Sequence, residues 1–499
     1  MAVGELRAVR SAPDQRRVVI GIAAVVMAAL LMPIMVALGA PISLAALAGL
    51  GIVGLGILTR PEAATLLFVG ILYLNVPVVA VQFNGAPAFV AIVAPLLLVI
   101  PILSYLVIRR EQPVVTPTLF WMLAYLAVLL LSAAVSADPE TSVRAVVSFA
   151  SEGLLLFVLV TNAVRSWGTL KKTVIVLLVV GAVMGGLSIV QEVTQSYDNQ
   201  FLGFAQTKES DPLEQPDDDA RPRLSGPIGS KNRYAQVMLV LLPLALFAYI
   251  TGRTRTHRLL AAMSGFAILG GMLLTFSRGA GVALGVLVLI AIALRYIRIR
   301  DALLIGAALA VVLLVVMPQY LTRLESLSGV GALVSGGAEA EPDGAILGRA
   351  TSNLASLQVF LDYPLLGVGP GQYVSEYSQE YANDLGLRYF TNARRAHNLF
   401  LEVAADTGIP GIVALGGIFV ATLGGLWRAR KAWVHRNPEY AAWATAFLLA
   451  VVGYMLTAMF LHLAYMRYFW LLIALANSVI WILKREAEKR ESVLELRGP

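Results

Sequence analysis

Apolar runs about twenty residues long recur along this chain, and they leave few ways for it to fold. Hydrocarbon supplies no water to backbone N–H and C=O groups. A segment that crosses it must therefore be a helix of about 20 residues or a strand of a closed barrel. The runs are continuous rather than alternating, which selects helices. Fourteen runs stand near 18–38, 42–58, 63–81, 88–108, 118–135, 146–162, 173–193, 233–250, 259–276, 279–294, 302–317, 398–426, 440–460 and 463–483. The chain is 58% hydrophobic and 14% charged, against about 25% charged in soluble domains. The expected fold class is an all-α polytopic membrane protein of about 12–14 transmembrane helices.

The links carry the topology. With the N-terminus inside, 25 of the 38 Lys and Arg fall in cytoplasmic links or tails, as the positive-inside rule expects. An even number of helices and two cytoplasmic termini follow. The net charge of +7 is thus explained by topology and gives no reason to expect a nucleic-acid partner. Cysteine is absent, which excludes disulfides, thiolate metal sites and Cys nucleophiles. The chain divides into N-terminal helices (1–193), core helices with a first outer loop (194–317), a large outer loop (318–397), C-terminal helices (398–483) and a charged tail (484–499). The large loop is expected to be functional rather than a linker, because it has a pattern of its own. It starts Gly/Ser-rich, continues as a helix over Leu347 to Leu361, turns at Asp362 to Gly371 and ends in a Tyr-rich stretch.

Chemistry concentrates where this loop meets the next helix, in Arg394-Arg395-Ala396-His397-Asn398. An imidazole at a membrane surface can take a proton from a hydroxyl near neutral pH. Capping a helix is the plainer role for such a residue, but its polar neighbours favour function. Arg278 lies in a nearly loop-free turn at the outer face, against the positive-inside trend, and its fork suits a lipid phosphate or diphosphate. Anchoring to headgroups is the plainer alternative there. Arg349 opens the loop helix. Arg223 and Arg233 bracket Ser225 to Asn232, a Gly-containing entry to a helix that can present N–H groups to an anion. Gly367 to Gly371 looks like a phosphate loop but lacks its Lys-Ser/Thr, and reads as structural. Glu152 could serve chemistry or brace the bundle by pairing with Arg144. Asp138 and Glu140 form a possible acidic pair, but no recognised metal motif appears. No metal and no cofactor are therefore expected.

His397-Asn398, nine residues, then Gly408-Ile-Pro-Gly411 resembles a motif of the O-antigen ligase and O-antigen polymerase superfamily of bacterial envelope glycosyltransferases. Thr275 to Gly279, Gly348-Arg349 leading into Tyr363 to Gly371, and Gly226 to Asn232 are similar in the same order. The ligase pattern Arg-x-x-x-Leu reads Arg278 to Val282 here, with Val in the last place. The resemblance covers about 223–411.

It implies a GT-C-like bundle in the bacterial inner membrane, with its active site on the outer face. The implied donor is a glycan on undecaprenyl diphosphate, and the acceptor is a glycan or lipid-linked glycan. Membrane lipids and other polysaccharide assembly proteins are the further partners. His397 would be the base. Arg278 and Arg349 would hold the diphosphate, and Arg394, Arg395, Asn398, Arg223 and Arg233 would contact substrate. The usual helix number in the family is 12, two fewer than counted here. The competing class is a transporter of a small anion such as bicarbonate, which some relatives have been called. A carrier wants ionisable groups near the midplane, whereas here they gather at the outer face. A purely structural membrane anchor would leave the Arg/His constellation unexplained.

Overall fold

The computed structural model describes residues 61–87, 94–207, 222–304, 306–307, 344–387, 389–462 and 466–497. The expected spans at 18–38 and 42–58, most of 302–317, and the acidic run at 211–219 lie outside these residues. Among the described residues every regular element is helical, apart from one isolated bridge between Gln206 and Gly226.

We number the helices as α1 (Pro61–Tyr73), α2 (Val76–Asn84), α3 (Ala94–Ile108), α4 (Pro117–Ala134), α5 (Pro139–Ala163), α6 (Trp167–Val193) and α7 (Lys231–Thr251). They continue as α8 (Arg255–Leu273), α9 (Arg278–Ala293), α10 (Gly344–Asp362), α11 (Ser378–Asp384), α12 (Leu399–Trp433), α13 (Pro438–Ala458) and α14 (Met466–Arg497). Seven of them (α4, α5, α6, α7, α12, α13 and α14) are long and apolar enough to cross a membrane, or eight spans if the bent pair α1–α2 is one.

The helices differ from the expected runs in physically simple ways. The run at 63–81 is broken by 52° between α1 and α2. Asn75 sits there in the left-handed region (φ 60°), and Pro77 cannot donate to the preceding turn. α3 and α9 are shorter than a full span. α8 forms as expected, but Arg255 and Arg258 in its first turn dilute its apolar character.

α13 and α14 sit deepest in the bundle, whereas α4 and α5 are mostly exposed along the faces that lipid would cover. Small residues let backbones approach where α6 crosses α8. A Cβ on Gly271 would meet the Cα of Gly185 at 2.8 Å. α7 packs between α8 and α13, and α4 packs along α12. This brings the first turns of α7, α9 and α12 and the α13–α14 turn to one end of the bundle, beneath α10 and α11.

Candidate active site

Three guanidinium groups meet at that end. Arg223, Arg278 and Arg349 line one hollow with about 440 Å³ of open space, together with Ser277, Asn232 and Phe460. They are separated by 55 and 71 residues in sequence, so only the fold brings them together. Arg278 is placed by a tight reversal. Phe276 takes φ 54°, Thr275 Oγ1 donates to Met272 O at 2.7 Å, and Ser277 N–H donates back to Thr275 Oγ1 at 3.2 Å. α9 then starts with Arg278 in its first turn. Arg223 is tied to the same reversal, its Nε donating to Thr275 O at 2.7 Å. Arg349 comes from α10.

The α13–α14 turn closes the hollow with Thr457, Phe460 and Leu461. The next residue, His462, is fully buried, and its ring meets that of His397 edge to face, centroids 6.1 Å apart. One turn of chain therefore touches both the arginine hollow and the imidazole. Arg349 provides a second link, because its charge acts on His397 from the hollow side. Burial and then the charges of Arg349, Arg233, Arg394 and Arg395 push His397 down to about 3. The ring is thus neutral, a proton acceptor rather than a donor, across the physiological range. Burial, Arg233, Arg395 and His397 likewise hold His462 below the usual imidazole range.

His397 is held by backbone chemistry at the start of α12. It sits at φ 53°, a conformation a non-glycine residue adopts only when its neighbours fix it. Asn398 fixes one side as the N-cap, its Oδ1 accepting from Phe400 N at 3.0 Å and Leu401 N at 3.3 Å. Glu402 fixes the other, Oε2 accepting from Ala396 N at 3.1 Å while Oε1 pairs with Arg395 at 3.6 Å.

α12 then breaks at Gly408 (φ 64°, ψ −161°), two residues before Pro410. The loop turn is sewn into the break. Val368 N donates to Ala405 O at 3.0 Å, Gly369 N to Asp406 O at 2.9 Å, and Ile409 N to Pro364 O at 2.9 Å. The Asp406 carboxylate accepts from Gly371 N at 2.8 Å and Tyr373 N at 3.0 Å. A Cβ on Gly408 would strike Pro364 O at 2.6 Å. The glycines at 367–371 thus serve chain packing, as their sequence suggested.

The other expected site residues fall as follows. Arg394 stacks on Phe390 at 4.2 Å, with its N–H donating to Ser378 Oγ at 3.0 Å. Arg395 is engaged by Glu402. Arg233 is buried in the first turn of α7, within electrostatic reach of both imidazoles. The proposed Glu152–Arg144 brace does not form. Arg144 pairs instead with Glu140, one turn away at 3.2 Å. Asp138 caps α5 by accepting from Glu140 N and Thr141 N, so the acidic pair divides into a cap and an ion pair. No motif in the sequence pointed to His462, Glu402 or Asp406.

Residues 263–416 match the family model described as O-antigen ligase. The matched segment runs from within α8 to within α12 and contains Arg278, Arg349, Arg394, Arg395, His397 and the Gly408 break. Arg223, Arg233 and His462 lie outside the matched stretch. A search of curated proteins found no match.

Proposed function

We propose that this protein is a membrane glycosyltransferase that moves a glycan from a polyprenyl-diphosphate donor, of the undecaprenyl kind, onto an acceptor hydroxyl. The reading makes it a surface-polysaccharide ligase or polymerase working at the outer face of the bacterial cytoplasmic membrane. The observation that carries it is the shared hollow of Arg278 and Arg349, joined to His397 through the Phe460–His462 turn. Planar guanidiniums match two linked phosphates better than point charges do.

In this mechanism His397 takes the proton of the acceptor hydroxyl as its oxygen attacks the anomeric carbon. The bond from that carbon to the diphosphate oxygen breaks, and the polyprenyl diphosphate leaves with the bonding pair. Arg278 and Arg349 stabilise the charge that develops on it. The donor's own anionic charge offsets the arginines that hold His397 neutral, so the base strengthens when the substrate is in place. Arg223 completes the hollow. Arg394, Arg395 and Arg233 extend positive potential towards the acceptor side. The donor is already activated, so no cofactor takes part.

The test uses full-length protein in liposomes with a glycan on polyprenyl diphosphate and an acceptor glycan. A new glycosidic bond with released polyprenyl diphosphate is expected, and an intact donor would overturn the proposal. In cells lacking the gene, single units without long chains mean a polymerase. Long chains stranded on the lipid carrier mean a ligase.

A further inference from the structure

The opposite end of the bundle holds a second basic cavity, which has no part in the reaction above. It has about 520 Å³ of open space between the end of α3, the α5–α6 junction and the far part of α14. Its cations are Arg109, Arg165, Arg485 and Lys489, and its carboxylates are Glu111 and Glu486. Counted over these residues, the lining carries two more positive than negative charges.

Arg165 is built into the wall, whereas Arg485 is half-exposed and Arg109 and Lys489 are exposed at the mouth. Arg165 is buried, with Nε donating to Asn162 O at 3.0 Å and Nη1 to Gln112 O at 2.9 Å. Glu111 joins Arg165 at 3.6 Å to Arg485 at 3.2 Å. Arg109 and Arg165 both lie over the ring of Tyr105, at 4.8 and 5.1 Å. Lys489 pairs with Glu486 at 2.9 Å.

The level of the cavity in the membrane is also defined. α14 begins at Met466 beside the His462 turn and lines the cavity from Ile482 to Lys489. At 1.5 Å per residue that is about 24–35 Å along the helix, against a hydrocarbon core of about 30 Å. The cavity therefore sits at the depth of the other headgroup layer. Trp167 lines it, Tyr105 forms part of its wall and Trp481 packs under Arg485 at 5.1 Å. Amphipathic aromatic rings at this depth are interfacial anchors. A basic pocket between helices at that level matches the chemistry of an anionic headgroup.

We propose that this cavity binds a phosphate group, presented by an anionic phospholipid headgroup or as free phosphate in solution. Arg109, Arg485 and Lys489 grip the phosphate. Arg165 and Glu111 hold Arg485 in place. The site joins three segments far apart in sequence, so occupancy ties α3 and α6 to α14 at the end remote from the arginine hollow.

The experiment titrates purified full-length protein in detergent with phosphatidylglycerol, with phosphatidylcholine, and with inorganic phosphate. Binding is followed by native mass spectrometry and by the shift in Tm. The expected result is saturable binding of phosphatidylglycerol over phosphatidylcholine, weakened at least tenfold by the combined change Arg109→Gln, Arg485→Gln and Lys489→Gln. Arg109→Gln alone, at an exposed position outside the Glu111 pairs, should weaken it several-fold and covers a failure of the triple variant to fold. Competition by millimolar inorganic phosphate assigns the site to free phosphate as well. Its absence assigns the site to the lipid. Equal binding by wild type and Arg109→Gln, or no preference for either phosphate source, overturns the proposal. The readout needs no glycan transfer, so it stands or falls apart from the proposed activity.

Discussion

The two ends of the bundle both gather cations, but they use them differently. At the Arg485 cavity both carboxylates are paired, Glu111 with Arg165 and Arg485, and Glu486 with Lys489. The Glu111 pairs join the chain after α3, the α5–α6 junction and α14, whereas Glu486–Lys489 is a local pair within α14. At the other end, Arg223, Arg278 and Arg349 share a hollow whose described lining contributes no carboxylate, and the Phe460–His462 turn that closes it leads to two imidazoles held below the usual range. The contrast is between a cluster that braces and a cluster that, in the proposed mechanism, surrounds a base. Clustered arginines alone do not make an active centre, and the neutral imidazole beside them is what separates the two ends.

The sharpest break of this contrast comes from the base. His397→Ala should cut glycan transfer by at least about 100-fold, the usual scale for a lost general base, while the protein accumulates normally in membranes. Undiminished transfer would return His397 to a capping role. Arg278→Lys should cost about tenfold or more, because a point charge replaces a planar fork, whereas Arg485→Lys at the far cavity should leave transfer unchanged. Equal losses at both ends would erase the distinction.

The pH profile sharpens it further. His397 is neutral in the folded protein down to about 3, so the acid limb of kcat/KM should lie far below the ordinary imidazole range. Arg349→Gln removes a repelling charge, lets the ring bind a proton more readily, and should move that limb to higher pH. An unmoved limb would place Arg349 away from the base. The same shift has a stability consequence. The unfolded chain protonates this imidazole from 6.5 downwards and the folded chain does not, so stability is lost as pH falls from 6.5 towards 3 and is unaffected above 6.5.

Two smaller effects concern the scaffold. Asp406→Asn leaves one of two loop N–H donors without its carboxylate oxygen, and should lower stability by about 1–3 kcal/mol, seen as a drop in Tm. Arg144→Ala removes an exposed ion pair with Glu140. It should change stability by less than about 1 kcal/mol and leave transfer alone.

Much of this arrangement was legible in the sequence because it is local. The apolar run expected from 398 begins where α12 does, and the Gly-rich turn lacks what a phosphate loop needs, but the cap at Asn398 and the break at Gly408 emerged only in the fold. Arg278 stood out because a cation in a turn at the wrong face needs a reason. What stayed hidden is tertiary. His462 lies 65 residues beyond His397, and nothing in its own neighbourhood foretells the ring contact. Glu402 and Asp406 read as polar breaks in an apolar run until the loop folds over them. Asn398 was assigned to substrate, yet its carboxamide oxygen is spent on the cap. The expected brace from Glu152 lost to Glu140, which is local and lies one turn from Arg144.

The central claim is that Arg278 and Arg349 grip one diphosphate beside His397. A double-mutant cycle tests it most directly. The affinity of the reconstituted protein for polyprenyl diphosphate would be measured for wild type, Arg278→Gln, Arg349→Gln and the pair. Two arginines on one diphosphate should give losses that fall short of additivity, with a coupling of about 0.5–3 kcal/mol. Strictly additive losses, or full affinity in either single variant, would contradict a shared grip.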